Sequence, residues 1–202
     1  EVRRADEQYG PIYRKYAARD VKELAGDAEA RAMGQRLFLN HCAQCHASDG
    51  AGSRGFPNLT DNDWLYGGSP EAIKTSISEG RNGVMPPYAG AGAEGARDAA
   101  HFILSLSGRP SDNLRVFRGK EIFQSNCAAC HGADARGNQQ LGAPNLTDRV
   151  WLHGSSESAI VETISKGRMS QMPAHKDFLS AEKIHLLTAY IYGLSSRVAP
   201  GK

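Results

Sequence analysis

Apolar residues recur at helical spacing in several separate segments of this 202-residue chain. Within residues 28–40, Met33, Leu37 and Phe38 fall on one face of a helix, and residues 116–124 have the same character. Four further segments are predicted to be helical: 70–79, 96–106, 157–166 and 181–194. Ser69 and Ser156 directly precede two of them, at the position of an N-cap. Because aromatic residues make up only 7% of the chain, little material remains for a β-rich core. We predict a mainly α fold.

The chain contains an internal repeat. Residues 34–46 match residues 119–131, which lie 85 positions further on. The sequence Pro-Asn-Leu-Thr-Asp at 57–61 returns at 144–148, and a Gly-Arg followed by Met-Pro at 80–86 returns at 167–173, both 87 positions on. A short polar segment, 107–112, separates the copies. The repeat predicts two homologous domains, residues 31–108 and 109–202, preceded by an N-terminal segment of residues 1–30.

All four cysteines lie within the repeat, in two Cys-x-x-Cys-His motifs. The residues of the two motifs are Cys42, Cys45, His46, Cys127, Cys130 and His131. This is the attachment signature of haem c, in which two thiols form thioethers with one haem and the histidine binds the iron. A redox-active dithiol and a zinc knuckle are the alternatives, and the matching sequence downstream of both motifs favours haem. We therefore predict two tandem cytochrome c-like domains, each built around one covalently bound haem c.

A Met-Pro pair in each copy is the candidate for the sixth iron ligand. Met85 and Met172 stand at equivalent positions, and we expect each to serve the iron of its own domain. A thioether suits low-spin iron and raises its potential, whereas simple core packing is the alternative role for a methionine. In the second copy, Met169 and His175 compete with Met172 for the second iron. The alignment through Gly-Arg favours Met172.

Other residues are candidates to hold the haem in place. The carbonyls of Pro57 and Pro144 could accept the Nδ1–H of the two motif histidines, although a turn proline is an equally good explanation. Each copy also offers N–H donors for the haem propionates, with packing or solvated charge as the ordinary alternative. These donors are Trp64, Trp151, Arg81 and Arg168.

Charge and hydropathy narrow the possible partners and the location. The formal net charge is +2, from 24 basic and 22 acidic residues, so the chain lacks the strong basic excess that nucleic-acid binding requires. No segment reaches the ~20 apolar residues of a bilayer span; the longest such stretch is 184–194. Because haem c is attached outside the bacterial cytoplasm, we expect an exported protein whose targeting or anchoring segment lay upstream of Glu1.

The motifs in this order resemble subunit III, the two-haem CcoP or FixP subunit, of cbb(3)-type cytochrome c oxidases. The segments that carry the resemblance are residues 9–13, 34–46, 55–61, 64–68 and 80–86, together with their counterparts in the second copy. One departure is Arg168-Met169-Ser170, where the family has Arg-x-Gly. The resemblance implies a membrane anchor absent from this chain, a periplasmic location, soluble cytochrome c as electron donor, and other oxidase subunits as partners. It also implies that the motif cysteines and histidines, Met85 and Met172 attach and ligate haem.

Two other functions fit the sequence less well than the oxidase subunit. A free, soluble two-haem cytochrome c would begin almost at the first haem helix, so residues 1–30 argue against it. A two-haem peroxidase or dehydrogenase would need an iron with an open position, and two matched Met-Pro loops offer none. We therefore predict an electron-transfer subunit that is not an enzyme by itself.

Overall fold

The structure is a computed structural model that describes residues 2–88, 90 and 92–195. Over these residues the chain forms ten helices and two strands. In chain order they are α1 (Val2–Ala17), α2 (Val21–Gly26), α3 (Ala28–His41), α4 (Ala43–His46), α5 (Pro70–Glu79), β1 (Arg81–Met85), α6 (Gly92–Leu106), α7 (Asn113–Asn126), α8 (Ala128–His131), α9 (Glu157–Lys166), β2 (Arg168–Met172) and α10 (Ala181–Ser195). The prediction of a mainly α fold is confirmed.

All six helices predicted from the sequence are present, with ends that differ from the prediction by at most four residues. The two predicted N-caps are also correct. The Ser69 hydroxyl accepts a hydrogen bond from the backbone N–H of Ala72, and the Ser156 hydroxyl accepts one from Ala159, both at 3.2 Å. Residues 1–30 contain two helices that the pattern alone did not define, α1 and α2. Within the described residues, no helix is both long and apolar enough to span a membrane.

The described chain divides into two compact units. As far as it is described, the first unit comprises Glu1–Asp63, Gly67–Arg81 and Met172–Lys202. Here α10 packs on α1, α2, α3 and α5. Helices α3 and α10 cross at Gly34, where an added Cβ would lie 2.6 Å from Tyr190 Cβ and 2.9 Å from the Leu186 carbonyl oxygen. The Phe38 and Tyr190 rings pack beside the crossing with centroids 5.5 Å apart, so α10 forms the core of this unit.

The second unit comprises Trp64–Tyr66 and Asn82–Gln171. Here α6 packs on α7 and α9. Helices α6 and α7 cross at Gly119, where an added Cβ would collide with the Asp98 carbonyl group. The Phe102 and Phe123 rings pack across this crossing at 5.3 Å. Each unit is therefore built on the same helix crossing with a glycine at its centre.

A buried carboxylate also joins α6 to α7. The Asp98 side chain is only 7% exposed. It accepts hydrogen bonds from Arg118 Nε at 2.6 Å, Arg118 Nη2 at 2.8 Å and Arg115 Nη1 at 2.8 Å. The two guanidinium groups hold the pKa of the Asp98 carboxyl below its usual range, with the Arg118 hydrogen bond as the largest cause. Asp98 is therefore charged at neutral pH and is fully paired within this helix crossing.

The compact units do not coincide with the predicted contiguous domains, residues 31–108 and 109–202. In each copy of the repeat, the first helix packs on the closing helix of the other copy, α3 on α10 and α7 on α6. At the positions of α3 equivalent to the two arginines, the sequence has Ala30 and Met33. Pairing α6 with α3 would leave Asp98 buried without these partners, at a cost of ~3–5 kcal/mol. Helix α10 instead brings the fully buried Leu186 to α3.

Strands β1 and β2, which end in the two candidate methionine ligands, pair as a two-stranded sheet. The positive φ of +70° at Gly80 and +71° at Gly167 lets the chain turn from α5 into β1 and from α9 into β2. A Cβ at Gly80 would collide with the Met172 carbonyl oxygen, and one at Gly167 with the Met85 carbonyl oxygen. Each turn therefore closely contacts the methionine segment that belongs to its own compact unit.

Candidate functional site

The first cysteine motif begins where α3 ends. Cys42 caps α3 through a backbone hydrogen bond to Phe38 O, and the short helix α4 then brings the chain to His46. Cys42 is partly buried and Cys45 is exposed, with both thiols free. Burial, with a smaller effect from Cys45, raises the pKa of the Cys42 thiol to about 11. One sulfur thus faces the protein interior and the other faces outwards.

The second motif repeats this arrangement at the end of α7. Cys127 caps α7 through a backbone hydrogen bond to Phe123 O, and α8 leads to His131. Again the first cysteine, Cys127, is partly buried and the second, Cys130, is exposed. Burial is the main cause that raises the pKa of the Cys127 thiol. The two sites therefore have the same local geometry, as the repeat predicts.

The two motif histidines are oriented by proline carbonyls. His46 Nδ1 lies 2.9 Å from Pro57 O, and His131 Nδ1 lies 3.1 Å from Pro144 O. With Nδ1 as the donor, Nε2 of each ring carries the lone pair that can bind a metal. Burial is the main cause that lowers the pKa of both imidazoles, which keeps them neutral at neutral pH. The predicted contact between histidine and proline is present at both sites.

Two glycines shape the loop between each histidine and its proline. Gly52 N–H donates to His46 O at 2.9 Å, and Gly137 N–H donates to His131 O at 2.8 Å. Both have a positive φ, +72° and +84°. A Cβ at Gly52 would lie 2.6 Å from Pro57 O, so only glycine lets the proline carbonyl approach the ring.

The first compact unit contains His46 together with Met172. The segment after Met172 is held on α5 because His175 N–H donates to Ile77 O at 3.0 Å. His175 itself is buried, with Nδ1 2.9 Å from Pro173 O and its ring 5.1 Å from that of Phe178. Met172 therefore lies in the unit of the first cysteine motif, although it belongs to the second copy of the repeat.

The second unit contains His131 together with Met85. Met85 packs against the core of this unit, and Cys127 packs against the same core. The segment after Met85 is held on α9 because Tyr88 N–H donates to Ile164 O at 2.8 Å. The compact units therefore group Met85 with His131 and Met172 with His46, whereas the expectation from the sequence paired each methionine with the histidine of its own copy. The closing helix and the methionine of each copy thus lie in the same compact unit as the first helix and the cysteine motif of the other copy. We call this arrangement the exchange.

The predicted propionate donors differ in their surroundings. Trp151 Nε1 is buried and has no hydrogen-bond partner. Arg81 Nε donates to Ser76 Oγ at 2.9 Å, and Arg168 donates to Thr163 Oγ1 at 3.0 and 2.7 Å. These hydrogen bonds hold both arginines on the helix that precedes them. Trp64 lies in the second compact unit, apart from the first cysteine motif with which the repeat groups it.

Residues present at both sites fit a haem c. Each unit supplies two thiols, one oriented imidazole and one methionine from a Met-Pro pair, and the second unit also has an unpaired indole N–H of the kind that a propionate would accept. Met169, a competitor for the second iron, is 88% exposed and points away from any interior site. Among the residues that the structure describes, no group of three or more His, Cys, Asp or Glu side chains could hold a metal ion without a cofactor.

Several known proteins are similar to this chain along most of its length. The family described as "Cytochrome C oxidase, cbb3-type, subunit III" matches residues 29–103 and 115–191. The chain is 47% identical over 197 residues to the Cbb3-type cytochrome c oxidase subunit CcoP of Rubrivivax gelatinosus, which covers 96% of the chain and 64% of that protein. It is 42% identical over 185 residues to the FixP subunit of Bradyrhizobium diazoefficiens, which covers 86% of the chain and 64% of that protein. The chain thus spans slightly less than two thirds of either relative.

Proposed function

The chain belongs to the subunit III family of cbb3-type cytochrome c oxidases, and from this premise we propose that it relays electrons through two covalently bound haems c. The observation that carries the proposal is the pair of cysteine motifs whose histidines are oriented by Pro57 and Pro144 and share a compact unit with a methionine. Haem c, when bound, supplies a one-electron Fe(III)/Fe(II) couple. The chain's cysteines would attach it, and the motif histidines and Met-Pro methionines would ligate its iron.

We propose the following assignment of residues. Cys42 and Cys45 would attach the first haem, and His46 and Met172 would ligate its iron. Cys127 and Cys130 would attach the second haem, and His131 and Met85 would ligate its iron. This assignment is supported by the membership of the two compact units and by the hydrogen bonds that hold each methionine segment on α5 or α9. Pro57 and Pro144 orient the rings, and Trp151 donates to a propionate.

We further propose the place of this chain in respiration. Its curated relatives are named as oxidase subunits, which supports partners among the other subunits of a terminal oxidase. Electrons would arrive from soluble cytochrome c donors and leave towards the mono-haem and catalytic subunits, on the periplasmic side of the inner membrane. A stable His/Met pair at each iron suits this relay, because ligands that stay bound in both oxidation states keep reorganisation small.

Haem stoichiometry is the first test. Because all four cysteines lie in the two motifs, the mature protein should carry two covalent haems and no titratable thiol. Mass spectrometry of the denatured protein measures the added haem mass, and a thiol reagent counts free cysteines. The variant Cys127→Ala/Cys130→Ala should lose one haem mass and keep the other. A single haem in the unaltered protein, or a disulfide, would contradict the assignment.

Carbon monoxide binding to the reduced protein distinguishes an electron carrier from an enzyme. If His46 and Met172, and His131 and Met85, occupy both axial positions, the reduced chain should bind carbon monoxide far below one equivalent per haem and should not turn over oxygen or peroxide by itself. Optical titration of the dithionite-reduced protein measures this binding. Met85→Ala should raise the binding to one equivalent at one haem, as a positive control. Stoichiometric binding to the unaltered protein would favour a peroxidase or dehydrogenase.

A further inference from the structure

The segment between the two copies of the repeat holds an arginine in a defined position. Helix α6 ends in a Schellman motif, in which Gly108 N–H donates to Ser105 O at 3.2 Å and Arg109 N–H donates to Leu104 O at 3.0 Å. Gly108 has the positive φ, +68°, that this motif needs. The motif fixes the backbone of Arg109. The Arg109 side chain then reaches the loop before α9, where its Nη1 donates to Ser155 O at 3.4 Å.

Two buried N–H groups in this region lack an acceptor. Among the described residues, Arg109 Nε and Trp151 Nε1 are the buried side-chain nitrogen or oxygen atoms without a hydrogen-bond partner. Both belong to the second compact unit, and Ser155, which Arg109 contacts, lies four residues after Trp151. Because buried donors are almost always satisfied in folded proteins, two of them beside one loop indicate a missing acceptor.

The missing acceptor is expected to be an anion. In the part of the chain that the structure describes, no carboxylate lies within ion-pair distance of Arg109. Arg115 and Arg118 of this unit are, in contrast, already paired with Asp98. A partly buried guanidinium without a counter-charge and an indole N–H together match a carboxylate, which accepts two or more hydrogen bonds.

The location of Trp151 identifies which carboxylate this is. Trp151 packs against the same core as Cys127 and Met85, which hold the second haem in the proposed function. We propose that Arg109, together with Trp151, binds a propionate of the haem attached at Cys127 and Cys130. This inference rests on the proposed function for the haem itself and adds Arg109 as the charge partner. Arg168, at the start of β2, instead donates its hydrogen bonds to Thr163 of α9.

The repeat contains a second arginine at the equivalent place. The sequence Leu106-Ser107-Gly108-Arg109 at the end of α6 corresponds to Leu194-Ser195-Ser196-Arg197 at the end of α10. Ser107 Oγ donates to Leu104 O at 3.1 Å, and Ser195 Oγ donates to Tyr192 O at 3.2 Å, so the two helix ends have the same local hydrogen bond. Arg197 lies outside the described residues. The sequence therefore has an arginine three positions after the corresponding leucine, Leu106 or Leu194, in both copies.

The charge of Arg109 should set the potential of one haem. A guanidinium beside a propionate neutralises negative charge that would otherwise stabilise ferric iron. Arg109→Gln should therefore make reduction of the second haem about tenfold less favourable, which is 59 mV for one electron. Arg109→Lys keeps the charge but loses Nε, and we expect a smaller shift in the same direction. Trp151→Phe removes only the indole donor and should shift the equilibrium a few-fold.

A redox titration of the full two-haem chain, followed optically, measures both potentials. The haem attached at Cys127 and Cys130 is recognised as the one whose sulfur-to-iron band Met85→Ala removes. Arg136→Gln is the matched control, because Arg136 is 77% exposed and its loss changes the net charge equally. A shift in Arg109→Gln that is no larger than in this control, or that is equal at both haems, overturns the proposal.

Infrared redox difference spectra with haem labelled by 13C at the propionates give a direct second measurement. Arg109→Gln, Arg109→Lys and Trp151→Phe should each move the labelled carboxylate band of one haem, and Arg136→Gln should not. If Arg109→Gln fails to fold, the other two variants decide, and an unchanged band in both overturns the proposal. Absence of any haem at Cys127 and Cys130 would instead show that the proposed function fails.

Discussion

Met172→Ala should remove the sixth ligand from the haem attached at Cys42 and Cys45, and leave the haem at Cys127 and Cys130 six-coordinate. The reason is that Met172 lies in the compact unit of His46, although it belongs to the second copy of the repeat. Because axial ligands shift haem potentials over a range of ~0.8 V, loss of the thioether should lower the potential of that haem by ~0.1–0.3 V.

Chains with a single attachment motif identify the affected haem. In Cys127→Ala/Cys130→Ala only the first haem remains, and adding Met172→Ala should abolish the ferric sulfur-to-iron band whereas adding Met85→Ala should leave it. The reverse holds in Cys42→Ala/Cys45→Ala. Met169→Ala is the control, since this side chain is 88% exposed and should affect neither band. If Met85 proves to serve the first haem, each copy of the repeat binds its haem independently and the exchange is refuted.

His175 gives this prediction a second measurable outcome. It is buried three residues after Met172, in the same compact unit as His46. When Met172 is removed, either the first iron becomes five-coordinate or His175 replaces the thioether, and histidine ligation would lower the potential further. The double variant Met172→Ala/His175→Ala separates these outcomes. Its first iron lacks both ligands and should bind carbon monoxide, and Met172→Ala alone should bind it equally well only if His175 does not replace the thioether.

Sequence reasoning succeeded where the chemistry is local. A haem attachment motif, an N-cap serine and a helical stripe each depend on residues within a few positions of one another, so residues 34–46 and 119–131 already specify how each motif leaves its helix. The contacts of His46 with Pro57 and of His131 with Pro144 also span short loops. These features could be predicted because no distant segment takes part in them.

The exchange of closing helices could not be predicted in this way. Both closing helices carry the same apolar pattern, so either one satisfies the periodicity that α3 or α7 requires. The carbonyl oxygens of Asp98 and Leu186 contact the glycine of the crossing in the same way, and the difference lies in their side chains. Asp98 on α6 is paired with the arginines of α7, whereas Leu186 on α10 is apolar and fully buried. A sequence repeat therefore identifies equivalent positions, but it does not specify which copy supplies the packing partner.

Arg109 was missed for a related reason. In the sequence it lies in a polar segment between the repeats, where a solvated charge is the ordinary expectation. The available signal was Gly108, since a glycine directly after an apolar helix predicts a Schellman end and a fixed direction for the next residue. The buried and unpaired Nε that gives the arginine its proposed role appears only once the loop before α9 is folded against it.

Truncation of the chain after Gln171 should unfold the first compact unit and leave the second unit folded. The shortened chain keeps every residue of the second compact unit and lacks α10, which forms the core of the first unit. We therefore expect limited proteolysis to digest the first cysteine motif and to leave a resistant fragment near residues 82–171. Mass spectrometry should find one haem on that fragment, attached at Cys127 and Cys130.

The contiguous domains 31–108 and 109–202 require the opposite result, a resistant fragment that carries its haem at Cys42 and Cys45. A chain that stops after Gly108 is the matched control. It is a complete first domain by the sequence repeat, but it holds α3 without α10 and α6 without α7. Because Leu37, Phe38 and Phe102 would then lose their helical partners, this chain should show no cooperative thermal unfolding. A cooperative transition in the shorter chain would mean that each copy can fold by itself, and that the exchange is a choice between two stable pairings.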